Sequence, residues 1–464
     1  MDYKQFFQGK KITQLGLGLL GRGVGDAEFL AECGADLLVT DKKTKEELKP
    51  SLERLAKFPN IKFVLGEHRL EDFKNRNFIL KGAGVPLDSP YIEEARKNAV
   101  PIEMSASLFA KLAPKGVKIV GITGTRGKTT TTMLIYEILK EAFGQDKVFL
   151  GGNIKDMVTL PLLKSVKEND YVVMELDSWQ LQGFDEAKIS PNVAVFTTFL
   201  EDHMNYYSGS MEKYFADKAN IFKYQKAGDT FIAGEGVFEA AKPFLEVKPP
   251  KTALIARAES VPKDWKIKLP GEHNRLNIAC AILAARALKI PDETIKKAVE
   301  NFGGVEGRLQ LIREINGVKI YNDTTATTPA ATVAGLRAVG CLAPKELLGA
   351  KHPTRRKNIV LIIGGDEKNL DMNGLLLEIP KWCKTVVMFK ERGTERIRRE
   401  LLEMRDQNIE VFEEEGLEAT VKKAFSVAKP GEIILYSPAF SSFGKYFKNE
   451  YDRGEQFNKI VSRL

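Results

Sequence analysis

Residues 117–143, "VKIVGITGTRGKTTTTMLIYEILKEAF", leave few choices of local structure. The apolar run "VKIVGIT" reads as a buried strand, "GTRGK" as a glycine loop, and the threonine run as the start of an amphipathic helix. A strand that feeds a helix through a glycine loop belongs in a mostly parallel sheet with helices on its faces. The same arrangement binds anions, because the loop N–H groups and the helix N-terminus face one point. Lys128 would reach the β- and γ-phosphates of a nucleotide, and the Thr129 hydroxyl would ligate Mg²⁺. One detail departs from the general phosphate-loop pattern: five residues, not four, separate Gly121 from Gly127.

The rest of the chain repeats the strand–helix alternation. "KITQLGLG", "ADLLVTD", "IKFVLG" and "FILKGAG" are strands of a first unit. "YVVMELD" and "NVAVFTT" are core strands of a second, which begins after the break "LAPKG" and holds the long helix "NRLNIACAILAARALKI". "VKIYND", "NIVLIIGGD", "TVVMFK" and "EIILYSP" alternate with helical patterns after "FGGVEGR". The expected fold is therefore α/β in three domains: a Rossmann-like unit over 1–110, a phosphate-loop unit over 111–304 and a second Rossmann-like unit over 305–464.

Gly16, Gly18 and Gly21 form a Gly-x-Gly-x-x-Gly turn between a strand and a helix, and Asp41 ends the next strand. This is a nucleotide-diphosphate fingerprint, with the acid placed for a ribose hydroxyl. It fits NAD and a nucleotide-sugar equally. Glu175 and His203 each follow an apolar strand, where open α/β sheets place ligands, and both suit a metal or phosphate. Lys218, on the amphipathic segment "YFADKANIF", reads as a solvated charge. Asn274 and Asn277 open the long helix and read first as capping residues. Arg308, "YNDTTATTP", "GGDEK" and "SPAFSSFGKYFKNEYDRG" are polar strand-end loops of the third unit.

Composition narrows the function classes. The net charge of +8 is spread along the chain rather than gathered in a tract, which suits small anionic substrates and not nucleic acid. Four cysteines stand singly, without disulfide or metal spacing. No apolar run is long enough to span a bilayer, and no basic-then-apolar leader opens the chain. A cytoplasmic, monomeric enzyme without membrane insertion is expected. A nicotinamide oxidoreductase would leave the second phosphate loop unused. A nucleotide-driven motor or binding protein would hydrolyse ATP with no second substrate.

Taken in order, "TGTRGKTT", "ELDSWQL", "EDHMNYY", "GEHNRLN", "EGR" and "YNDTTAT" resemble the Mur ligase family, whose ATP loop has this offset glycine spacing. The likeness covers essentially the whole chain. The terminal motifs "GLGLLGRG" and "SPAFSSF…DRG" resemble those of the members that add D-glutamate to UDP-N-acetylmuramoyl-L-alanine through an acyl phosphate. The resemblance implies ATP, two Mg²⁺ and CO₂ as cofactors. It implies ATP contacts at Gly124, Thr125, Arg126, Gly127, Lys128, Thr129, Thr130, Asn274, Arg308 and Asp323. Thr129, Glu175, His203 and Lys218 would hold metal, Lys218 as a carbamate. Gly16, Gly18, Leu19, Leu20, Gly21, Asp41, Asn153 and Gln180 would face the UDP-sugar, and Thr327, Lys368 and Ser442 the amino acid. Two departures mark the third unit. Thr325 stands where D-glutamate-adding members carry a lysine, and Glu450 where an aromatic is common. A basic segment, 341–358, reads as a solvated loop.

Overall fold

A computed structural model describes the chain except for Met1, Leu19, Leu20, residues 245–249, Lys251 and residues 341–356. Leu19, Leu20 and nearly all of the basic segment thus lie outside the described residues.

The first sheet contains β1 (Lys11–Leu15), β2 (Asp36–Asp41), β3 (Ile61–Leu65), β4 (Phe78–Lys81) and β5 (Ile102–Glu103), in the order β3-β2-β1-β4-β5. All its pairings are parallel. Chain order reverses between β1 and β4, so a crevice opens there past the strand ends. The second sheet contains β6 (Lys118–Thr123), β7 (Val148–Gly152), β8 (Tyr171–Glu175), β9 (Val193–Phe196), β10 (Thr230–Gly234) and β11 (Leu254–Ala256). Its order, β11-β10-β9-β6-β8-β7, sets β6 between β8 and β9. The third sheet contains β12 (Gln310–Ile315), β13 (Val318–Asn322), β14 (Ile359–Ile363), β15 (Cys383–Phe389), β16 (Glu410–Glu414) and β17 (Ile433–Tyr436), in the order β12-β13-β17-β14-β15-β16. Only the β12–β13 pair is antiparallel among the described residues.

The sequence reads this way because strands covered on both faces need apolar side chains at nearly every position. Every residue of "IVLII" in β14 is buried, as are all but the first of "KIVGIT" in β6. The helix Lys128–Phe143 turns Leu134, Ile135, Ile138 and Leu139 into the core, a spacing of three and four. Cys33, Cys280 and Cys383 are free and buried. Among the described residues no helix is long and apolar enough to cross a membrane.

The chain forms two compact units. Met1–Lys263 with Leu276–Val299 carries the first two sheets, and Asp264–Arg275 with Glu300–Leu464 carries the third. The helix Glu272–Ala287 contributes its first turn to one unit and the remainder to the other.

Candidate active site

The irregular glycine spacing has a structural explanation. Gly121 lies inside β6 and outside the loop. A Cβ there would come within 2.4 Å of Pro191, so it serves close packing behind the strand. The loop glycines are Gly124 (φ +145°) and Gly127 (φ +85°), both in backbone regions that other residues rarely adopt. A side chain at Gly124 would also collide with Thr197 Oγ1, at 2.0 Å. The loop is stitched to the segment after β9. Thr125 N donates to Thr198 O at 2.7 Å, and Arg126 N to Thr198 Oγ1 at 2.8 Å. The Arg126 guanidinium pairs with Asp202 at 3.3 Å.

The strand order brings the end of β8 beside this loop. Glu175, buried, accepts a 2.6 Å hydrogen bond from the Thr129 hydroxyl. Lys128 folds back, its Nζ donating to Gly124 O at 2.9 Å and Thr125 O at 3.3 Å.

Lys218 overturns its reading as a solvated charge. It is 1% exposed, on the helix Met211–Lys223. Its Nζ donates to Gly124 O at 3.1 Å and Thr123 Oγ1 at 3.4 Å, and lies 4.8 Å from the Tyr214 ring centre. Gly124 O therefore accepts from two lysines. Burial first, and then the charge of Lys128, hold the Lys218 pKa well below the lysine range. The amphipathic pattern gave no sign of this, because the lysine falls on the face that packs against β6.

His203 has φ +57°, a strained value for a histidine. Its ring lies 4.9 Å from that of Trp179 and 6.1 Å from that of Tyr214. Burial lowers its pKa more than Asp202 raises it, which favours the neutral imidazole, the form that could serve as a ligand. Among the described residues no three His, Cys, Asp or Glu side chains converge to hold a metal. Thr129, Glu175 and His203 would need a further oxygen donor, and a free amine at Lys218 is not one.

At the crevice of the first sheet lies a cavity of about 360 Å³. Its walls include Gly16, Gly18, Arg22, Asp26, Lys81 and Gln180. Gly16, Gly18 and Gly21 all have positive φ. Asp41 braces this turn directly: Oδ2 accepts from Leu17 N (2.8 Å) and Gly18 N (3.1 Å), and Oδ1 from Lys43 N (2.9 Å). Arg22 donates to the Asn153 side chain and to Ile154 O. The Gln180 side chain closes a capping box with Asp177.

In the second compact unit, Lys368 Nζ donates to Thr327 Oγ1 at 3.2 Å. Asp366 and Ser441 pair through their backbones, which sets the loop of Ser442 beside that of Lys368. The Ser442 hydroxyl is buried with no hydrogen-bond partner among the described residues. Asp323 accepts from Leu309 N (3.0 Å) and Ser437 Oγ (2.7 Å), and burial pushes its pKa up to about 7. The Arg308 charge acts on Asp323 through space. Thr325, in the place of the expected lysine, donates to Gly307 O at 2.8 Å. The Asn274 side chain donates to Pro270 O at 2.8 Å, tying the first turn of the helix Glu272–Ala287 to the residues before it.

Comparison with known proteins adds a second line. Residues 122–242 match the family description "Mur ligase middle domain", and residues 307–440 match "Mur ligase, glutamate ligase domain". The chain is 37% identical to the UDP-N-acetylmuramoylalanine–D-glutamate ligase of Roseiflexus sp. (strain RS-1), over 98% of each chain. It is 32% identical to the enzyme of that name from Acetivibrio thermocellus, over 100% of this chain and 98% of the other. The chain belongs to the Mur ligase family. Its fold also matches two solved Thermotoga maritima structures. One is UDP-N-acetylmuramate–alanine ligase MurC (TM-score 0.60, 20% identity, 98% of this chain and 99% of that one). The other is MurF ligase in complex with ADP (TM-score 0.56, 17% identity, 100% and 98%).

Three buried groups of this Mur ligase have positions that the motif reading did not give. Lys81 is 2% exposed, and burial lowers its pKa to about 8. It ends an apolar strand before glycines, as "FILKGAG", so its strand-end position was a usable signal. Arg453 is fully buried and donates to Phe440 O, Ser441 O and Thr324 O, tying two loops of the third sheet together. It is the arginine of "DRG", but its place within a helix gave no sign of its burial.

Asp26, in the cavity wall, is the third. Its Oδ1 accepts from Ser105 Oγ at 2.9 Å, and burial raises its pKa from 3.8 to about 7, against the pull of Arg22. Between about pH 4 and pH 7 the folded Mur ligase holds a proton that the unfolded chain has lost, so stability falls as pH rises through that window. The full shift corresponds to at most about 4 kcal/mol. Urea unfolding of Asp26→Asn at pH 5 and pH 8 should show a shallower fall than the parent. A residual slope from Asp323, which shifts the same way, should remain.

Proposed function

We propose that this Mur ligase joins D-glutamate to UDP-N-acetylmuramoyl-L-alanine at the expense of ATP, in peptidoglycan precursor synthesis. The observation that carries the reading is the convergence at the end of β6. There Thr129 bonds to Glu175, and Lys128 and the buried Lys218 meet on the Gly124 carbonyl. Near-full-length relatives named for this reaction support it.

In this reading residues 124–130 and Lys128 receive the ATP phosphates through loop N–H groups, the helix N-terminus and the ammonium. Thr129 and Glu175 would hold one Mg²⁺, and His203 with a carbamate on Lys218 a second. Mg²⁺ bound there offsets negative charge where phosphates and a carboxylate meet. Lys218 fits carbamate formation because burial holds its pKa well below the lysine range, which favours the neutral amine. Its lone pair would form the N–C bond to CO₂, and a proton would leave the nitrogen. That supplies the oxygen donor missing from the ligand set. The alanyl carboxylate then attacks the γ-phosphorus, ADP leaves, and an acyl phosphate forms. The amine of D-glutamate attacks the acyl carbon, and inorganic phosphate leaves with the C–O electron pair. The protein's contribution is positioning and charge neutralisation.

The cavity between β1 and β4 would take the UDP-sugar. Gly16, Gly18, Leu19, Leu20, Gly21, Asp41, Asn153 and Gln180 are assigned to it, with Asp41 acting by bracing the turn. Asn274, Arg308 and Asp323 would complete the ATP contacts, and Thr327, Lys368 and Ser442 would meet the amino acid. We assign the three roles to residues 1–110, 111–304 and 305–464, in a cytoplasmic monomer.

The test is phosphate release from ATP with UDP-N-acetylmuramoyl-L-alanine and each amino acid in turn. Release is expected with D-glutamate and only when all three substrates are present. A signal with another amino acid alone would reassign the acceptor and point to Thr325, whose hydroxyl is committed to Gly307 where a cation was expected. Equal release without the UDP-sugar would remove the ligase assignment.

A further inference from the structure

Lys81 has no part in the chemistry above, yet its ammonium lies where the end of β4 meets the helix Ser178–Ala187. Its Nζ donates to Val85 O at 2.8 Å, and lies 3.3 Å from each of Gly82 O, Ala83 O and Gln182 Oε1. The three carbonyls belong to the turn after β4, which lines the cavity opposite the glycine turn. Gln182 belongs to the helix Ser178–Ala187, beyond β8. The amide passes the connection on. Gln182 Nε2 donates to Asp217 Oδ2 at 2.8 Å and to the Tyr206 hydroxyl at 3.1 Å. The Tyr207 hydroxyl donates to the same Asp217 oxygen at 3.0 Å. Asp217 immediately precedes Lys218 on its helix.

A buried ammonium held by carbonyls alone is a costly way to finish a strand, since an apolar residue would fill the space without desolvating a charge. Here the charge does two things an apolar residue cannot. It draws the carbonyls of residues 82–85 inward, which fixes the backbone of one cavity wall. It also bonds that wall to a side chain of the helix Ser178–Ala187. The cavity then has cationic groups on two sides, Arg22 at the glycine turn and Lys81 behind the facing turn.

We propose that Lys81 is a positioning residue for the anionic donor substrate, holding the turn at residues 82–85 and, through Gln182 and Asp217, setting its register on the helix that bears Lys218. The ligand class is a nucleotide-diphosphate ester, and this rests on the reading of the cavity given under Proposed function. Lys81 acts through the turn and not on the reacting atoms. Its loss should therefore weaken binding of the donor alone.

The test uses the full-length enzyme with Lys81→Met, Lys81→Arg, Gln182→Leu and the Lys81→Met/Gln182→Leu double variant. Lys81→Met should raise KM for UDP-N-acetylmuramoyl-L-alanine about tenfold, with KM for ATP and kcat changed less than about threefold. Lys81→Arg should recover part of that loss. Gln182→Leu should show a smaller shift of the same selectivity. The double variant should be no worse than Lys81→Met, because residues acting as one chain are not additive. KM for ATP and for the donor rising in parallel would overturn the proposal. So would a lowered Tm with unchanged donor KM, or an additive double variant. If Lys81→Met does not fold, the other two single variants decide, and unchanged donor KM in both rejects the idea. Failure of the parent enzyme to respond to the donor at all would instead reject the functional reading.

Discussion

Lys128→Ala is expected to lower substrate-dependent phosphate release by about a thousandfold, the scale seen when a preorganised charge at a reacting oxygen is removed. Lys128 is half-buried, and its Nζ rests on loop carbonyls rather than in the core. The fold should survive, and unfolding by urea should show a nearly unchanged midpoint. Glu175 extends the same test. Its carboxylate accepts from Thr129 at 2.6 Å, and a glutamine could accept that bond equally well. Glu175→Gln therefore separates a hydrogen-bonding role from a metal-binding one. Loss of activity comparable to that of Glu175→Ala is expected, since an amide oxygen is a poor substitute for a carboxylate on Mg²⁺. Near-normal turnover in the glutamine variant would falsify the metal assignment and leave Glu175 as a support for the helix Lys128–Phe143.

The second large effect concerns Lys218. Lys218→Ala should abolish measurable turnover, and formate or acetate at tens of millimolar should restore part of it by occupying the space the carbamate would fill. Two features lead to this expectation: the amine is fully buried, and burial together with the charge of Lys128 holds its pKa well below the lysine range, favouring the neutral form. A neutral amine can add to CO₂, whereas an ammonium cannot. Depleting the buffer of bicarbonate should lower the activity of the parent and leave the rescued variant unaffected. Full activity of Lys218→Ala without an added carboxylate would remove the carbamate. Absence of any rescue, together with a collapsed Tm, would make Lys218 a packing residue.

Much of the architecture was legible from strands buried on both faces, because such strands cannot hide their apolar runs. "IVLII", "YVVME" and "KIVGIT" could hardly be anything else. The phosphate loop was legible for a related reason, since a strand, glycines and a helix in that order leave little freedom. Its spacing was misleading only while Gly121 was counted as a loop glycine. What the sequence hid were groups whose role depends on what lies across a sheet or between helices. Lys218 looked like a surface lysine because the amphipathic pattern does not say which polar residue faces inward. Arg453 stands within "DRG", but its structural part was hidden because three carbonyls from other loops define its place. Asp41 was read by its type and its distance from the turn. The structure shows its carboxylate also engaged by the turn's own N–H groups, a contact that type and distance alone did not reveal.

The Gly124 carbonyl, shared by Lys128 and Lys218, has a consequence for the order of events. Before any ligand arrives, two basic side chains crowd one oxygen, and the charge of Lys128 makes Lys218 harder to protonate. A carbamate on Lys218 would replace that repulsion with attraction between the two side chains. Linkage then demands reciprocity: nucleotide binding must raise the affinity for CO₂ by the same factor that CO₂ raises the affinity for nucleotide. A single peptide oxygen would in that way make the enzyme's readiness depend on dissolved carbon dioxide as well as on ATP.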